Sequence, residues 1–142
     1  MATRENHKQA GNLVLIADDN ADIQAVLGIL LRGAGFQTVT AFDGEEAVGL
    51  AAETHPDLVL MDLVLPRLDG LAAASQIRKL AGLERVPIVG CSAYEPEAED
   101  ENARKEYAKF NAFLRKPTDF SKLLTVMQYL LEQQPLAQTG CL

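Results

Sequence analysis

Polar side chains that suit phosphoryl-transfer chemistry come directly after, or at the end of, short apolar runs. Asp18 and Asp19 follow the first run, Asp62 ends the third, Ser92 follows the fourth and Lys116 follows the fifth. Carboxylates are ligands for hard divalent cations, and a carboxylate can also attack phosphorus. An amine and a hydroxyl can neutralise and hydrogen-bond a phosphoryl oxygen, and positioning and charge neutralisation dominate this chemistry. Taken singly, each residue would be an ordinary solvated residue of a turn, so the fold decides whether they act together.

Five short, nearly all-apolar runs predict five β-strands. Runs of this length that are rich in branched residues are typical of parallel strands covered on both faces. The second run alternates more between apolar and polar residues, as an edge strand does. The runs are residues 13–17, 36–41, 58–61, 86–91 and 112–114.

Amphipathic stretches between these runs predict five helices. Asn20 is a suitable N-cap for the first helix, and an apolar stripe at helical spacing predicts the face that packs on a sheet. Asp43 and either Thr118 or Asp119 are the expected caps of the second and fifth helices, and Asp69-Gly70 is expected to open the third. The stripe of the first helix consists of Ile23, Val26, Leu27, Leu30 and Leu31.

The fourth helix is predicted to start at Pro96, because proline is favoured in the first turn of a helix. Glu97, Glu99, Asp100 and Glu101 follow it and would lie near the positive end of the helix dipole. A solvated first turn explains this acidic run better than a partner-binding surface does.

Five strand–helix repeats predict an α/β fold, with a doubly wound, five-stranded parallel sheet and right-handed crossovers. The carboxyl ends of the strands lie on one edge of such a sheet, and ligands bind where the strand order reverses. The five polar residues would therefore meet in one crevice. Carboxylates about 4 Å apart repel by ~1 to 4 kcal/mol per pair between water and a surface-like dielectric. A bound Mg²⁺ or Mn²⁺ ion would offset that repulsion.

In this order and at this periodicity, the motifs resemble those of the receiver domains of bacterial response regulators, including the chemotaxis regulators. The resemblance covers residues 13 to about 131 and rests on Asp18-Asp19, the segment 62–70, Ser92-Ala93 and Lys116-Pro117. It implies a flavodoxin-like (βα)5 domain with strand order 2-1-3-4-5. The expected organisation is a tail at 1–12, an apparently stand-alone receiver domain at 13–132 and a second tail at 133–142.

The resemblance also implies which residues bind the phosphoryl group and the metal ion. Asp62 would be the phosphoacceptor. Asp19, Asp62 and the backbone carbonyl of Val64 would coordinate Mg²⁺, and Asp18 would do so directly or through water.

The other site residues take roles from the same resemblance. Lys116 would pair with the phosphoryl group, and its bond to Pro117 is often cis in the family. Ser92, in place of the commoner threonine, would hydrogen-bond a phosphoryl oxygen and move inward on activation. Phe113 occupies the aromatic switch position, where it lacks the hydroxyl that a tyrosine would offer.

The function implied is a phosphorylation-activated signalling switch. A sensor histidine kinase or a phosphotransfer protein would donate to Asp62, and the face of the fourth helix, fifth strand and fifth helix would then bind a downstream protein differently. Such a chain is not an ordinary enzyme; it would only phosphorylate and dephosphorylate itself.

Two other functions remain open. A receiver-fold interaction module without phosphorylation is one, but the complete set of site residues counts against it. The other is a phosphatase that forms an aspartyl phosphate. The haloacid dehalogenase-like kind needs a second aspartate two residues after its nucleophile, where this chain has Val64, and its nucleophile ends the first strand, whereas Asp62 ends the third.

The composition excludes several other classes. With 142 residues, 48% hydrophobic and 23% charged, the chain is expected to be one soluble, cytoplasmic domain. The resemblance to receiver domains implies either a monomer or a phosphorylation-dependent dimer. A net charge of −7 argues against a nucleic-acid partner. No apolar run approaches the ~18 residues of a membrane span, so no membrane association is expected. Cys91 and Cys141 have neither metal-ligand spacing nor the pattern of a disulfide framework.

Overall fold

The computed structural model of the protein describes residues 11–93 and 100–133. Five strands form one sheet in the order β2-β1-β3-β4-β5, and all neighbouring pairs are parallel. The strands are β1 (Leu13–Ala17), β2 (Gln37–Ala41), β3 (Leu58–Asp62), β4 (Ile88–Ser92) and β5 (Ala112–Arg115). The predicted fold class and strand order are confirmed, and the order reverses between β1 and β3, where such sheets bind ligands.

Burial along the strands follows their place in the sheet. Every residue of β3 is buried, as are the last four residues of β1. In β2 only Ala41 is fully buried, as expected for a strand at the edge. The continuous apolar runs therefore mark the centre of the sheet, and the alternating run marks its edge.

The five helices are α1 (Ala21–Gly33), α2 (Gly44–Thr54), α3 (Gly70–Arg78), α4 (Glu101–Tyr107) and α5 (Phe120–Glu132). The predicted caps Asn20 and Asp43 each accept a hydrogen bond from a backbone N–H in the first turn, and so does Asp69, the residue predicted to open α3. Asp119, not Thr118, caps α5 by accepting from the N–H of Ser121. None of the helices among the described residues has the length and apolar character needed to cross a membrane.

The predicted start of α4 is wrong. Asp100 is extended (φ −133°, ψ 177°), and its side chain accepts from the backbone N–H of Ala103 at 2.8 Å. This cap satisfies an N–H that would otherwise lack a partner, so the helix begins at Glu101 and not at Pro96. Residues 94–99 lie outside the described part of the chain.

The helices cover both faces of the sheet and give two apolar clusters. On one face, small alanine side chains let α2 and α3 lie close to the sheet. On the other, Leu31 of α1 and Leu123 and Met127 of α5 pack on the strands. Full burial of a leucine or methionine side chain contributes roughly 1.5–3 kcal/mol, so these contacts stabilise the packing of α1 and α5 on the sheet. The alanines of the first cluster are Ala47, Ala51, Ala73 and Ala74.

Only part of the predicted apolar stripe of α1 packs on the sheet. Leu31 is fully buried and Leu27 partly so, but Ile23, Val26 and Leu30 are 38%, 58% and 41% exposed. The stripe is wider than the strip of helix that meets the sheet. Its exposed side lines a groove of about 620 Å³ between α1 and the connection from β5 to α5.

At the other end of the strands, Arg78 joins the connections that lead into β4 and β5. Its guanidinium group donates to the carbonyl of Lys109 at 2.7 and 3.1 Å and to the side-chain oxygen of Asn111 at 2.9 Å. It also donates to the carbonyl of Val86. A single side chain thus ties both connections to the end of α3.

Gly70, the first residue of α3, lies against the last residue of β3. A Cβ atom at Gly70 would be 2.2 Å from the carbonyl oxygen of Asp62 and 2.7 Å from the Cα of Leu63. The Gly70 N–H also donates to the carbonyl of Leu63 at 2.9 Å. This close approach fixes the backbone of Asp62 against the start of the helix.

We expect Gly70→Ala to lower the free energy of unfolding by about 2 kcal/mol or more, because the added methyl must displace the Asp62 backbone. Gly49→Ala is the control, since Gly49 is an exposed residue of α2 with open space where its Cβ would lie. That change should stabilise by up to about 1 kcal/mol through helix propensity. Urea denaturation followed by circular dichroism measures both, and equal stability of Gly70→Ala and wild type would contradict the prediction.

Candidate functional site

Three carboxylates meet at the carboxyl ends of β1 and β3. Asp18 and Asp19 directly follow β1, and Asp62 is the last residue of β3. Each offers an oxygen atom, and these three atoms all lie within 4.8 Å of one another. Asp18 and Asp62 are buried, and Asp19 is exposed. The ends of β1 and β3, where the strand order reverses, therefore bring three negative charges close together, and two of them are shielded from water.

Lys116 bridges the two buried carboxylates. Its Nζ donates to Oδ2 of Asp18 and to Oδ2 of Asp62, each at 2.8 Å. Burial lowers the pKa of the Lys116 amine, but hydrogen bonds and attraction to both carboxylates outweigh this effect and raise the pKa above its usual value. The amine therefore stays protonated near neutral pH and neutralises part of the cluster.

The second oxygen of each buried carboxylate is held by the backbone two residues further on. Oδ1 of Asp18 accepts from the N–H of Asn20 at 2.9 Å, and Oδ1 of Asp62 accepts from the N–H of Val64 at 3.0 Å. Both side chains are thus fixed at two points, one to the backbone and one to Lys116. This is the preorganisation that a nucleophile or a metal ligand needs.

Asp19 differs from the other two carboxylates. Its side chain is exposed and makes no hydrogen bond or ion pair with any residue in the described part of the chain. A ligand can therefore bind the Asp19 carboxylate without displacing any of the described residues from it.

The donor set fits a hard divalent cation. It consists of carboxylate oxygens, and Mg²⁺ binds through one or two carboxylates while it keeps water or phosphate oxygens as further ligands. Even with Lys116 protonated, two of the three negative charges remain uncompensated. A cation is the group that this arrangement favours.

Ser92 and Lys116 are joined through the backbone of neighbouring strands. Ser92 is the last residue of β4 and is buried, and its carbonyl accepts from the N–H of Lys116 at 2.7 Å. The peptide bond between Lys116 and Pro117 is cis, as the resemblance implied. The hydroxyl-bearing and amine-bearing residues thus stand side by side at the same edge as the carboxylates.

Phe113 packs inside an aromatic group near the end of α4. Its ring meets Tyr107 edge to face, with centroids 5.6 Å apart, and lies 5.0 Å from the ring of Phe110. A Cβ atom at Gly90 would be 2.8 Å from the Phe113 ring, so the glycine makes room for it on β4. The contacts that hold the residue at the predicted switch position are therefore apolar ones.

Cys91 lines the groove beside the site, and its burial disfavours the thiolate that a nucleophile needs. Burial raises the pKa of its thiol to about 12, and repulsion from Asp62 and Asp18 adds to this effect, although Lys116 opposes it. The thiolate, which is the reactive form, is therefore scarce near neutral pH. Cys141 lies outside the described residues.

Gln24 is a residue near the site that the sequence reasoning missed. It is 4% exposed, and its side-chain nitrogen donates to the carbonyl oxygens of Ile16, Asp18 and Ala41. A signal was available, because position 24 falls on the same helical face as the buried Leu31. A lone amide on the packed face of a helix needs buried partners.

Comparison with known proteins places these features in a family. The family model for the response regulator receiver domain matches residues 14–128. The polar-differentiation response regulator DivK of Brucella ovis is 30% identical over 118 residues, which cover 82% of this chain and 94% of DivK. The transcriptional regulatory protein PdtaR of Mycobacterium tuberculosis is 42% identical over 116 residues, which cover 81% of this chain and 54% of PdtaR.

Solved structures give the same result. The receiver domain of the sensor histidine kinase PA1611 from Pseudomonas aeruginosa, which has a magnesium ion in its active-site cleft, superposes with a TM-score of 0.74. It is 30% identical and covers 87% of this chain and 99% of its own. The chemotaxis protein CheY4 of Vibrio cholerae gives a TM-score of 0.74 at 25% identity, over 83% of this chain and 97% of its own. On the family match, the strand order and the shared fold, this chain belongs to the response regulator receiver domain family.

Proposed function

We propose that the protein is a phosphorylation-activated signalling switch in which Asp62 accepts a phosphoryl group with the help of Mg²⁺ or Mn²⁺. The observation that carries the proposal is the bridge from Lys116 to Asp18 and Asp62, beside a third carboxylate, Asp19, whose side chain has no partner among the described residues. Members of the family are signalling switches and not ordinary enzymes. We propose residues 13–132 as the receiver domain, with tails at 1–12 and 133–142.

Asp62 is the nucleophile in this mechanism. One of its carboxylate oxygens attacks the phosphorus of a phosphohistidine on a histidine kinase or phosphotransfer protein, and a P–O bond forms as the P–N bond breaks. The electron pair of the P–N bond returns to the imidazole, which leaves as a neutral ring when its other nitrogen carries a proton. The contacts from Val64 N–H and Lys116 hold the carboxylate in place during attack, which reduces the entropic part of the barrier.

Asp18, Asp19, Asp62 and the backbone carbonyl of Val64 are the groups that would hold the cation. When bound, the ion supplies positive charge that offsets the repulsion among the carboxylates and the charge of the phosphoryl group. The exposed Asp19 offers its oxygen without losing another contact.

Lys116 and Ser92 act on the phosphoryl group once it is attached. The raised pKa of Lys116 keeps its amine positively charged, so it can pair with a phosphoryl oxygen. The Ser92 hydroxyl can donate to a second oxygen. Ser92 ends β4, which pairs with β3, and Lys116 directly follows β5, the next strand beyond β4, so both can respond to a change on Asp62 without unfolding the sheet.

The response would reach a partner through the face formed by α4, β5 and α5. Phe113 lies on β5 among apolar rings and has no hydroxyl, so we propose that coupling works through packing. The partner on this face is a downstream protein and not a nucleic acid, and the chain acts as a monomer or as a phosphorylation-dependent dimer.

The alternatives are less well supported. A binding module without phosphorylation has no use for a buried cluster of like charges, which costs free energy. A haloacid dehalogenase-like phosphatase requires an aspartate where this chain has Val64.

Treatment with acetyl phosphate and Mg²⁺ should add the mass of one phosphoryl group, and Asp62→Asn should abolish the addition. Removal of the cation with EDTA should also prevent it, because the uncompensated carboxylates repel an incoming phosphate. Asp69→Asn is the matched control, since asparagine caps a helix as well as aspartate does and Asp69 is the exposed cap of α3. Intact-protein mass spectrometry measures the adduct on the wild type with Mg²⁺, the wild type with EDTA, Asp62→Asn and Asp69→Asn. A persistent adduct on Asp62→Asn would refute the assignment of Asp62 as the phosphoacceptor.

Lys116→Met should slow adduct formation about tenfold or more, which corresponds to ~1.4 kcal/mol in the barrier. The change keeps most of the side-chain volume and removes only the charge and the two hydrogen bonds. Lys122→Met, on the exposed side of α5, makes the same change in net charge away from the site and should have little effect. Mass spectrometry measures the rate of phosphoryl addition to each variant. Equal rates in Lys116→Met and Lys122→Met would contradict the role of Lys116.

A further inference from the structure

We infer that Gln24 is a positioning residue that fixes the loop carrying Asp18 and Asp19 in the geometry needed to bind the cation. The inference rests on the proposed function, since it concerns the same acidic loop. Gln24 lies in α1, so a helix residue would hold the loop backbone, a role that none of the five polar residues at the strand ends performs.

The Gln24 amide joins three backbone segments. Its Nε2 atom donates to the carbonyl oxygens of Ile16 in β1 at 3.0 Å, Asp18 in the following loop at 3.0 Å and Ala41 at the end of β2 at 2.8 Å. The amide has two hydrogens for these three acceptors, so at least one hydrogen is shared. The side chain is 4% exposed, so water does not compete for these bonds.

The orientation of the amide follows from these neighbours. With the amide reversed, its oxygen would face three carbonyl oxygens and every contact would be repulsive. In the observed orientation Oε1 is buried and has no hydrogen-bond partner among the described residues. An unpaired buried acceptor lowers the stability of the folded protein, and an apolar side chain at position 24 would avoid this cost. What the glutamine provides instead is the set of donated bonds.

These bonds control the position of Asp19. The carbonyl of Asp18 belongs to the planar peptide unit that joins Asp18 to Asp19, so the direction of that carbonyl also sets where the next Cα lies. Asp19 has no side-chain contact of its own in the described part of the chain. Its place near the other carboxylates therefore depends on the backbone that Gln24 holds.

Asp18 is restrained by the same group of contacts. Its N–H donates to the carbonyl of Ala41 at 3.0 Å, and that oxygen also accepts from Gln24. Its Oδ1 accepts from the N–H of Asn20. Loss of the amide would leave the loop attached through Asp18 but free to rotate beyond it.

The test compares Gln24→Met, Gln24→Lys and a packing control. Methionine keeps the length of the side chain but donates no hydrogen bond, whereas lysine restores a donor. Leu31→Val lies on the same buried face of α1 two turns further on and disturbs only packing. All three are titrated with Mg²⁺ alone by calorimetry, and the metal-free proteins are examined by amide hydrogen exchange at residues 19 and 20.

We expect Gln24→Met to raise the Kd for Mg²⁺ about tenfold or more, as loss of a group that orients metal ligands commonly does. Amide exchange in the loop should be faster without metal. In phosphorylation by acetyl phosphate, the Mg²⁺ concentration for half-maximal rate should rise by a similar factor while the rate at saturating Mg²⁺ changes little. Gln24→Lys should restore slow amide exchange in the loop, because it restores a donor, although its positive charge also opposes cation binding. Leu31→Val should keep all of the affinity.

A folded Gln24→Met protein with wild-type Mg²⁺ affinity would overturn the inference, and so would an equal loss of affinity in Leu31→Val. If Gln24→Met does not fold, Gln24→Asn, whose amide is one methylene short of the three carbonyls, is judged by the same criteria. A wild-type protein that binds Mg²⁺ but forms no phosphoadduct would refute the proposed function alone, because the titration and the exchange measurement do not depend on phosphorylation.

Discussion

The repulsion among Asp18, Asp19 and Asp62 is the constraint on which the rest of the site depends. At about 4 Å in an environment between water and a protein surface, each pair of carboxylates repels by ~1 to 4 kcal/mol. The sheet imposes this closeness, because β1 and β3 are neighbours and their ends coincide. Lys116 offsets part of the repulsion through two bonds of 2.8 Å, and the charge that remains is what makes the site receptive to a cation.

Besides Lys116, groups that carry no charge also hold this site. Backbone N–H groups of Asn20 and Val64 fix one oxygen of each buried carboxylate. Gly70 lets the start of α3 approach the carbonyl of Asp62 to a distance that no side chain would allow. Neutral contacts of this kind hold the carboxylates in place without cancelling the negative charge that the cation needs.

The sequence predicts most of the fold because buried strands require continuous apolar runs, which are visible in the sequence. Runs of apolar residues in β1 and β3 reflect coverage on both faces, and the polar residues that follow them had to lie at one edge of a parallel sheet. The start of α4 was not predicted because a proline and an aspartate four residues later compete as start signals, and the capping bond of Asp100 decided between them. The exposed side of the α1 stripe was missed because periodicity reports the width of an apolar face and not the width of its contact. Gln24 was missed because its importance comes from three carbonyl groups that carry no signature in the sequence.

The most direct test of the electrostatic account is the stability of Asp19→Asn, measured by urea denaturation in EDTA and again in Mg²⁺. Without a cation, removal of one of the three charges should stabilise the protein by up to about 1 kcal/mol, because the repulsion is relieved. Mg²⁺ should then stabilise the wild type clearly and the variant much less, since a cation that binds only the folded state adds to its stability in proportion to its affinity. A variant that is no more stable than wild type in EDTA, and that gains as much from Mg²⁺, would show that carboxylate repulsion does not govern this site.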